Sequence, residues 1–257
     1  MIEFLSIKLY LLLSAAFFAG LIDSMVGGGG LIQIPALFSS FPNTAPATLF
    51  GTNKLSSIGG TFTSAVNYLR VIKLPIKAMS VAAIFALVGS FLGAYVVTQV
   101  PGTYVRIILP WILAGLLIFT LVKKDMGLAH TPKLGTLSAK VFLTLGVGLI
   151  GFYDGFLGPG TGSFFMFIFA HFLGFDFLHS AAATKVLNSV TNFAALALFI
   201  PTGHIDWPIA LGMLVFNIAG GKLGSGLAMK NGSQFIRKVF IVIVSLLIIK
   251  TAADAYF

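Results

Sequence analysis

Gly20-Leu-Ile-Asp23-Ser-Met-Val-Gly27-Gly28-Gly29-Gly30-Leu-Ile-Gln33-Ile-Pro35 closes an apolar run that begins near residue 4, and a second version follows as Gly151-Phe-Tyr-Asp154-Gly-Phe-Leu-Gly158-Pro159-Gly160-Thr161-Gly162-Ser163. The apolar runs predict helices. Four consecutive glycines cost a helix about 1 kcal/mol each relative to Ala, and Pro159 removes a backbone donor, so both helices are expected to break. The apolar stretches after the breaks, 31–41 and 162–173, cross only about half of a bilayer at roughly 1.5 Å per residue. Broken backbone in lipid is tolerated only where protein or a water-filled cavity satisfies it.

The rest of the chain places these breaks in a membrane. Of 257 residues, 58% are hydrophobic and 9% charged, with a mean hydropathy of +1.02, whereas soluble domains carry about 25% charged residues. Runs long enough to span occur at 4–25, 47–69, 76–98, 103–122, 137–157, 178–200, 208–229 and 234–254. The expected class is an all-α polytopic membrane protein embedded in a lipid bilayer, its first helix retained as a span. Most of the cations behind the formal charge of +9 sit in short loops, the pattern of topology-setting charge and not of nucleic-acid binding. With no Cys, disulfides, thiolate metal sites and Cys nucleophiles are excluded. The number of subunits is left open.

A shift of 131 residues maps Gly20 onto Gly151, Asp23 onto Asp154, Gly27 onto Gly158, Gly29 onto Gly160, Lys54 onto Lys185 and Arg106 onto Arg237. It also carries Gly89 and Gly93 onto Gly220 and Gly224, pairs whose spacing suits close helix packing. Asp, Lys and Arg are scarce here, so coincidence at one offset argues for duplication. The expected organisation is a first transmembrane repeat over 1–122, a central cytoplasmic loop over 123–136 and a second repeat over 137–257. Internal repeats with matching breaks mark secondary transporters, with the site at the repeat interface. If each short stretch folds back, the second repeat is inverted; if not, the halves are parallel four-span units. Loop cations divide ten to three in the first case and nine to four in the second, so the positive-inside rule does not separate them. The inverted arrangement is preferred on mechanism.

The half-helices expected after the breaks would point free N–H groups and a positive dipole end at a cavity, a ready anion site. Glycine also lets an oxyanion approach the backbone closely. A second constellation, Gly51-Thr52-Asn53-Lys54-Leu55-Ser56-Ser57, is matched by Ala183-Thr184-Lys185-Val186-Leu187-Asn188, with Thr191 and Asn192 a turn further on. An intramembrane Lys or Asp costs about 2.5–3.5 kcal/mol when central, so these charges need partners. Asp and Lys stand 31 residues apart in each half, which suggests that a carboxylate from the broken helix meets an ammonium from the next helix. One reading makes these ion pairs structural ties between helices. The other makes them a site for a small anionic substrate, formed by Gly27, Gly28, Gly29, Gly30, Thr52, Asn53, Lys54, Gly158, Gly160, Thr161, Gly162, Ser163, Thr184, Lys185 and Asn188. Asp23 or Asp154 would then couple movement to a proton. Lys222 has no counterpart under the shift and is assigned either to substrate or to an interface. Arg106 and Arg237 are expected near head groups.

Other chemistries find little support. His130, His171, His179 and His204 show no metal-ligand spacing. Neither glycine cluster is followed by Lys-Ser or Lys-Thr, as a nucleotide loop requires, and no nucleophile elbow stands out. No enzyme, cofactor or metal is expected. A passive anion channel is the alternative to a transporter.

Gly20-x-x-Asp23 with Gly27 to Gly30 and Pro35, Thr52-Asn53-Lys54-Leu55, Gly151-Phe-Tyr-Asp154-Gly-Phe-x-Gly158-Pro159-Gly160-x-Gly162-Ser163, and Ala183-Thr184-Lys185-x-x-Asn188 together resemble the sulfite exporter TauE/SafE family, also called the 4-toluene sulfonate uptake permease family, and within it the YfcA-type branch. The resemblance implies a bacterial inner-membrane transporter with two repeats. It also implies a sulfur-containing anion, such as sulfite or an organosulfonate, as substrate.

Overall fold

A computed structural model describes residues 2–105, 107, 111, 130–133 and 135–256; most of the expected span at 103–122, Arg106 and residues 123–129 lie outside the described residues. The described residues are helical with no strand. The helices are α1 (Ile2–Val26), α2 (Gly30–Ser40), α3 (Pro46–Leu69), α4 (Ile76–Gln99), α5 (Leu137–Phe156), α6 (Thr161–Phe172), α7 (Phe177–Phe199) and α8 (Trp207–Tyr256). α5 and α6 each contain a π-helical turn, at Phe142–Gly146 and Ile168–Phe172, and α8 kinks at Gly232. α2, α3, α4 and their counterparts α6, α7, α8 begin 131 residues apart.

Local chemistry sets these ends. Pro46 opens α3 in the first turn, where its missing N–H costs nothing. The Asp176 carboxylate accepts the His179 N–H at 2.7 Å to cap α7. Among the described residues, four segments, Ile7–Val26, Ile76–Gln99, Leu137–Phe156 and Trp207–Gly232, are long and apolar enough to cross a membrane. α3 and α7 have similar length, but their polar side chains lower their hydropathy. Thr52, Asn53, Lys54, Ser56, Thr61 and Ser64 of α3 are buried, as are Ser180, Thr184, Lys185, Asn188, Thr191 and Asn192 of α7. Large apolar side chains such as Tyr10, Ile84, Leu149 and Val215 point outward, as lipid requires.

α1 packs along α8, where Gly220 and Gly224 lie against the backbone of Phe17 and Leu21. α5 packs along α4 through Gly89 and Gly93 against Gly148 and Phe152. Small residues let these backbones meet. α3 also follows α8, with Ser64 Oγ donating to Gly221 O and Asn67 Nδ2 to Ser225 Oγ. α4 follows α7, with Ser90 Oγ donating to Thr191 O at 2.7 Å. These contacts advance together along both members of each pair, so α1, α3 and α8 run one way and α4, α5 and α7 run together. The two groups oppose each other: Ala47 and Phe50 near the start of α3 cluster with Phe199 at the end of α7, whereas Tyr68 near the end of α3 meets Phe177 and Ala181 at the start of α7. α2 folds back along α1, bringing Leu37 beside Leu12.

Candidate functional site

α1 stops at Val26 because Gly27 takes φ +80°, a left-handed conformation natural to glycine. α5 stops through Leu157 and Gly158, whose N–H groups both donate to Tyr153 O, at 2.9 and 3.2 Å. Tyr153 Oη then donates to Pro159 O at 2.7 Å and straps this second break. The two breaks touch. A Cβ on Gly27 would overlap the backbone of Gly162, and one on Gly162 would overlap Gly27. Ser163 Oγ also donates to Val26 O at 3.2 Å. α2 and α6 therefore start from adjoining points, and their first-turn N–H groups turn back onto the glycine carbonyls, those of Leu31 and Ile32 onto Gly28 O and Gly29 O and those of Thr161 and Ser163 onto Gly158 O and Gly160 O.

Lys185 Nζ lies 2.6 Å from Asp23 Oδ2, and Lys54 Nζ lies 2.6 Å from Asp154 Oδ2. Each pair joins the broken helix of one half to the polar helix of the other, which corrects the expectation of pairing within a half. The cause is helix direction. α1 and α3 run the same way, so Asp23, near the end of α1, is anchored further along the bundle than Lys54, near the start of α3, although both side chains reach the same cavity. It lies instead beside the beginning of the antiparallel α7, which carries Lys185. The Lys185 contact is an aligned hydrogen bond, and Asp23 Oδ1 accepts the Gly29 N–H at 3.4 Å. The Lys54 contact is a close ion pair outside hydrogen-bond alignment. The lysine side chains are 0% and 2% exposed and Asp154 and Asp23 are 7% and 17% exposed, so losing one partner strands a buried charge at about 3–5 kcal/mol.

Between the breaks is a cavity of about 30 Å³, on a measure where one water needs roughly 10–15 Å³. Asp23, Gly27, Gly29 and Gly30 line it from the first break, and Asp154, Gly158, Thr161 and Gly162 from the second. α3 adds Asn53, Lys54, Ser57 and Thr61, and α7 adds Asn188 and Asn192. Ala19 and Asn217 complete the wall. Asn192 Nδ2 donates to Thr61 Oγ1 at 3.3 Å, and Asn217 Nδ2 donates to Ala16 O and Gln33 Oε1. The amide oxygens of Asn53 and Asn188 are buried without a partner.

Of the residues singled out from the sequence, Gly28, Thr52, Gly160, Ser163, Thr184 and Lys185 lie off this wall. Thr52 Oγ1 instead accepts the Asp206 N–H at 2.9 Å. Ala19, Ser57, Thr61, Asn192 and Asn217 line it without having been assigned to it. Thr61 and Asn192 are related by the same shift of 131, and Asn217 is a lone amide in an apolar helix; these were the available signals. Lys222 is exposed on the outer face.

Away from the cavity, His130, Asp176 and His179 gather at the start of α7, their ligand-type atoms within 4.8 Å of one another. Their separation along the chain concealed this. His179 Nδ1 lies 2.9 Å from Asp176 Oδ1, the Asp176 N–H donates to His130 Nδ1 at 3.5 Å, and the two imidazoles stack at 3.9 Å. Partial burial lowers the His130 pKa, the neighbouring His179 lowers it further, and Asp176 opposes both.

The family model for the sulfite exporter TauE/SafE matches residues 12–251. The probable membrane transporter protein ORF9 of Sinorhizobium sp is 37% identical over 241 residues, covering 93% of this chain and 90% of the relative. The probable membrane transporter protein YfcA of Escherichia coli (strain K12) is 33% identical over 252 residues, covering 96% and 91%. A probable membrane transporter protein of Haemophilus influenzae is also 33% identical, covering 96% and 95%. No solved structure matches. The chain is a multi-pass membrane transporter and belongs to the sulfite exporter TauE/SafE family.

Proposed function

We propose that the cavity between the two helix breaks binds a small sulfur-containing anion, such as sulfite or an organosulfonate, and that Asp23 and Asp154 couple its passage to protons. The observation that carries this reading is the convergence of Lys54, two ion-paired aspartates and two short-helix N-termini on one cavity in a membrane protein. Two Lys and two Asp balance, so the empty site has no net side-chain charge. An anion entering alone would leave an uncompensated charge in a medium where charge is costly. Protonating one Asp releases its Lys for the anion and keeps the balance. The family name and the motifs shared with it support the sulfur class. The cavity has room for a water or two, and nothing in the described residues favours a passive channel.

The same reading takes 1–122 and 137–257 as inverted repeats around a cytoplasmic segment at 123–136. Support comes from the equal offset of the helix starts, the opposite directions of α1 and α5, α3 and α7, and α4 and α8, and the α1–α8 packing that α5–α4 repeats. Uptake and efflux of labelled sulfite, thiosulfate and sulfonates in proteoliposomes, with and without a pH gradient, test the function. Saturable flux that responds to the gradient is expected. Flux that survives Lys54→Ala combined with Lys185→Ala would refute the anion site.

A further inference from the structure

We propose that the two buried lysines divide the work of the site: Lys54 is the cation that meets the anion, and Lys185 is a positioning residue that holds Asp23 and, through it, the first helix break. This rests on reading the cavity as an anion site. Under the shift of 131, five matched pairs line the cavity together: Asp23 with Asp154, Gly27 with Gly158, Gly30 with Thr161, Ser57 with Asn188, and Thr61 with Asn192. Other matched positions do not, and the only charged ones among them are the lysines: Asn53 and Lys54 line it, and Thr184 and Lys185 lie off it.

The surroundings of the lysines explain the difference. Lys185 is fully enclosed and spends an aligned hydrogen bond on Asp23, whose other oxygen accepts the Gly29 N–H. That chain of contacts ends in the backbone of the first break. Lys54 opens onto the cavity, and a Cβ on Gly158 would stand 3.4 Å from its Nζ. Its contact with Asp154 is close but unaligned, which leaves ammonium donors for an oxyanion. Chemistry that cannot be exchanged between the halves reinforces the asymmetry. The second break, beside Lys54, is strapped by Tyr153 Oη to Pro159 O, and the residue matching Tyr153 is Ile22, which has no hydroxyl. The first break is held by other elements instead, with Ser163 Oγ on Val26 O, Tyr68 Oη on Ser24 O and Lys185 Nζ on Asp23, so Lys185 acts as one of these ties.

The chain has no Cys, so an introduced thiol is unique. In detergent, Asn53→Cys is expected to react with a small charged thiol reagent at least about tenfold faster than Thr184→Cys, and Lys54→Cys/Asp154→Asn faster than Lys185→Cys/Asp23→Asn by a similar factor. In proteoliposomes with labelled sulfite, Lys54→Gln/Asp154→Asn should raise KM about tenfold or abolish flux. Lys185→Gln/Asp23→Asn should keep KM within about threefold while the maximum rate falls. Equal labelling rates, or equal changes in KM, would overturn the division of labour. If the wild-type protein moves no anion, the functional reading fails, and the labelling ratios still decide whether Lys185 is enclosed as a positioning residue must be.

Discussion

Gly27 carries two demands at once, a φ of +80° and contact with the backbone of Gly162. A residue with a Cβ pays about 1–2 kcal/mol for the left-handed conformation alone, before the overlap is relieved. Gly28, next to it, has nothing closer than 3.8 Å to the position of a Cβ. Gly27→Ala is therefore expected to lower the melting temperature and folded yield in detergent, with Gly28→Ala close to wild type. Equal melting temperatures would show that the breaks do not meet tightly. The ion pairs make a second prediction at this scale. Lys185→Gln alone strands the Asp23 carboxylate and should cost about 3–5 kcal/mol, which Asp23→Asn added to it should largely recover. A double variant no more stable than the single one would mean that Lys185 stabilises through packing and not through charge.

At the level of elements, the segment 130–133 is tied to the junction of α6 and α7: Thr131 N–H donates to Gly174 O at 2.7 Å, and Lys133 N–H to Leu173 O at 3.0 Å. His130 stacks on His179 there, with its pKa below the ordinary value of 6.5. A depressed pKa means that the undocked segment binds the proton more readily, so docking is intact above about pH 6.5 and weakens as pH falls through the lowered value. The protection of the Thr131 and Lys133 amides against hydrogen exchange, taken relative to their intrinsic exchange rates, should fall on going from pH 8 to pH 5; protection that does not change would refute this. His130 also marks where sequence reading ends. The breaks at Gly27 and Gly158 were legible because glycine and proline act on their own backbone, and Pro46 announced α3 for the same reason. Which lysine meets which aspartate was not legible, because a 31-residue spacing says nothing about the antiparallel course of α3 and α7. Asn217 reaches the cavity only because α8 lies along α1, a non-local fact, and no composition signal announced the π turns in α5 and α6.

For the whole molecule, sidedness follows from joining helix direction to exposed charge. The end of α3, the starts of α4, α5 and α7, and the part of α8 near Ala228 share one end of the bundle. Arg70, Lys73, Lys77, Lys140 and Lys230 are exposed there, while Lys8 belongs to the opposite end, its Nζ donating to Ser40 O at 3.4 Å. Cytoplasmic loops carry the excess of Lys and Arg, which predicts that the rich end faces the cytoplasm. Loop charge alone could not choose between inverted and parallel halves, because moving Lys8 and Lys250 against Lys230, Arg237 and Lys238 barely changes the balance. The directions of α1 and α5 bear on that choice directly: if α1 runs toward the cytoplasm and α5 runs away from it, the halves have opposite senses and both termini lie outside. A topology reporter inserted within 123–129 should then be active as a cytoplasmic fusion, and one fused after Phe257 should be active as an external fusion. A cytoplasmic reporter at Phe257 would refute the inverted arrangement.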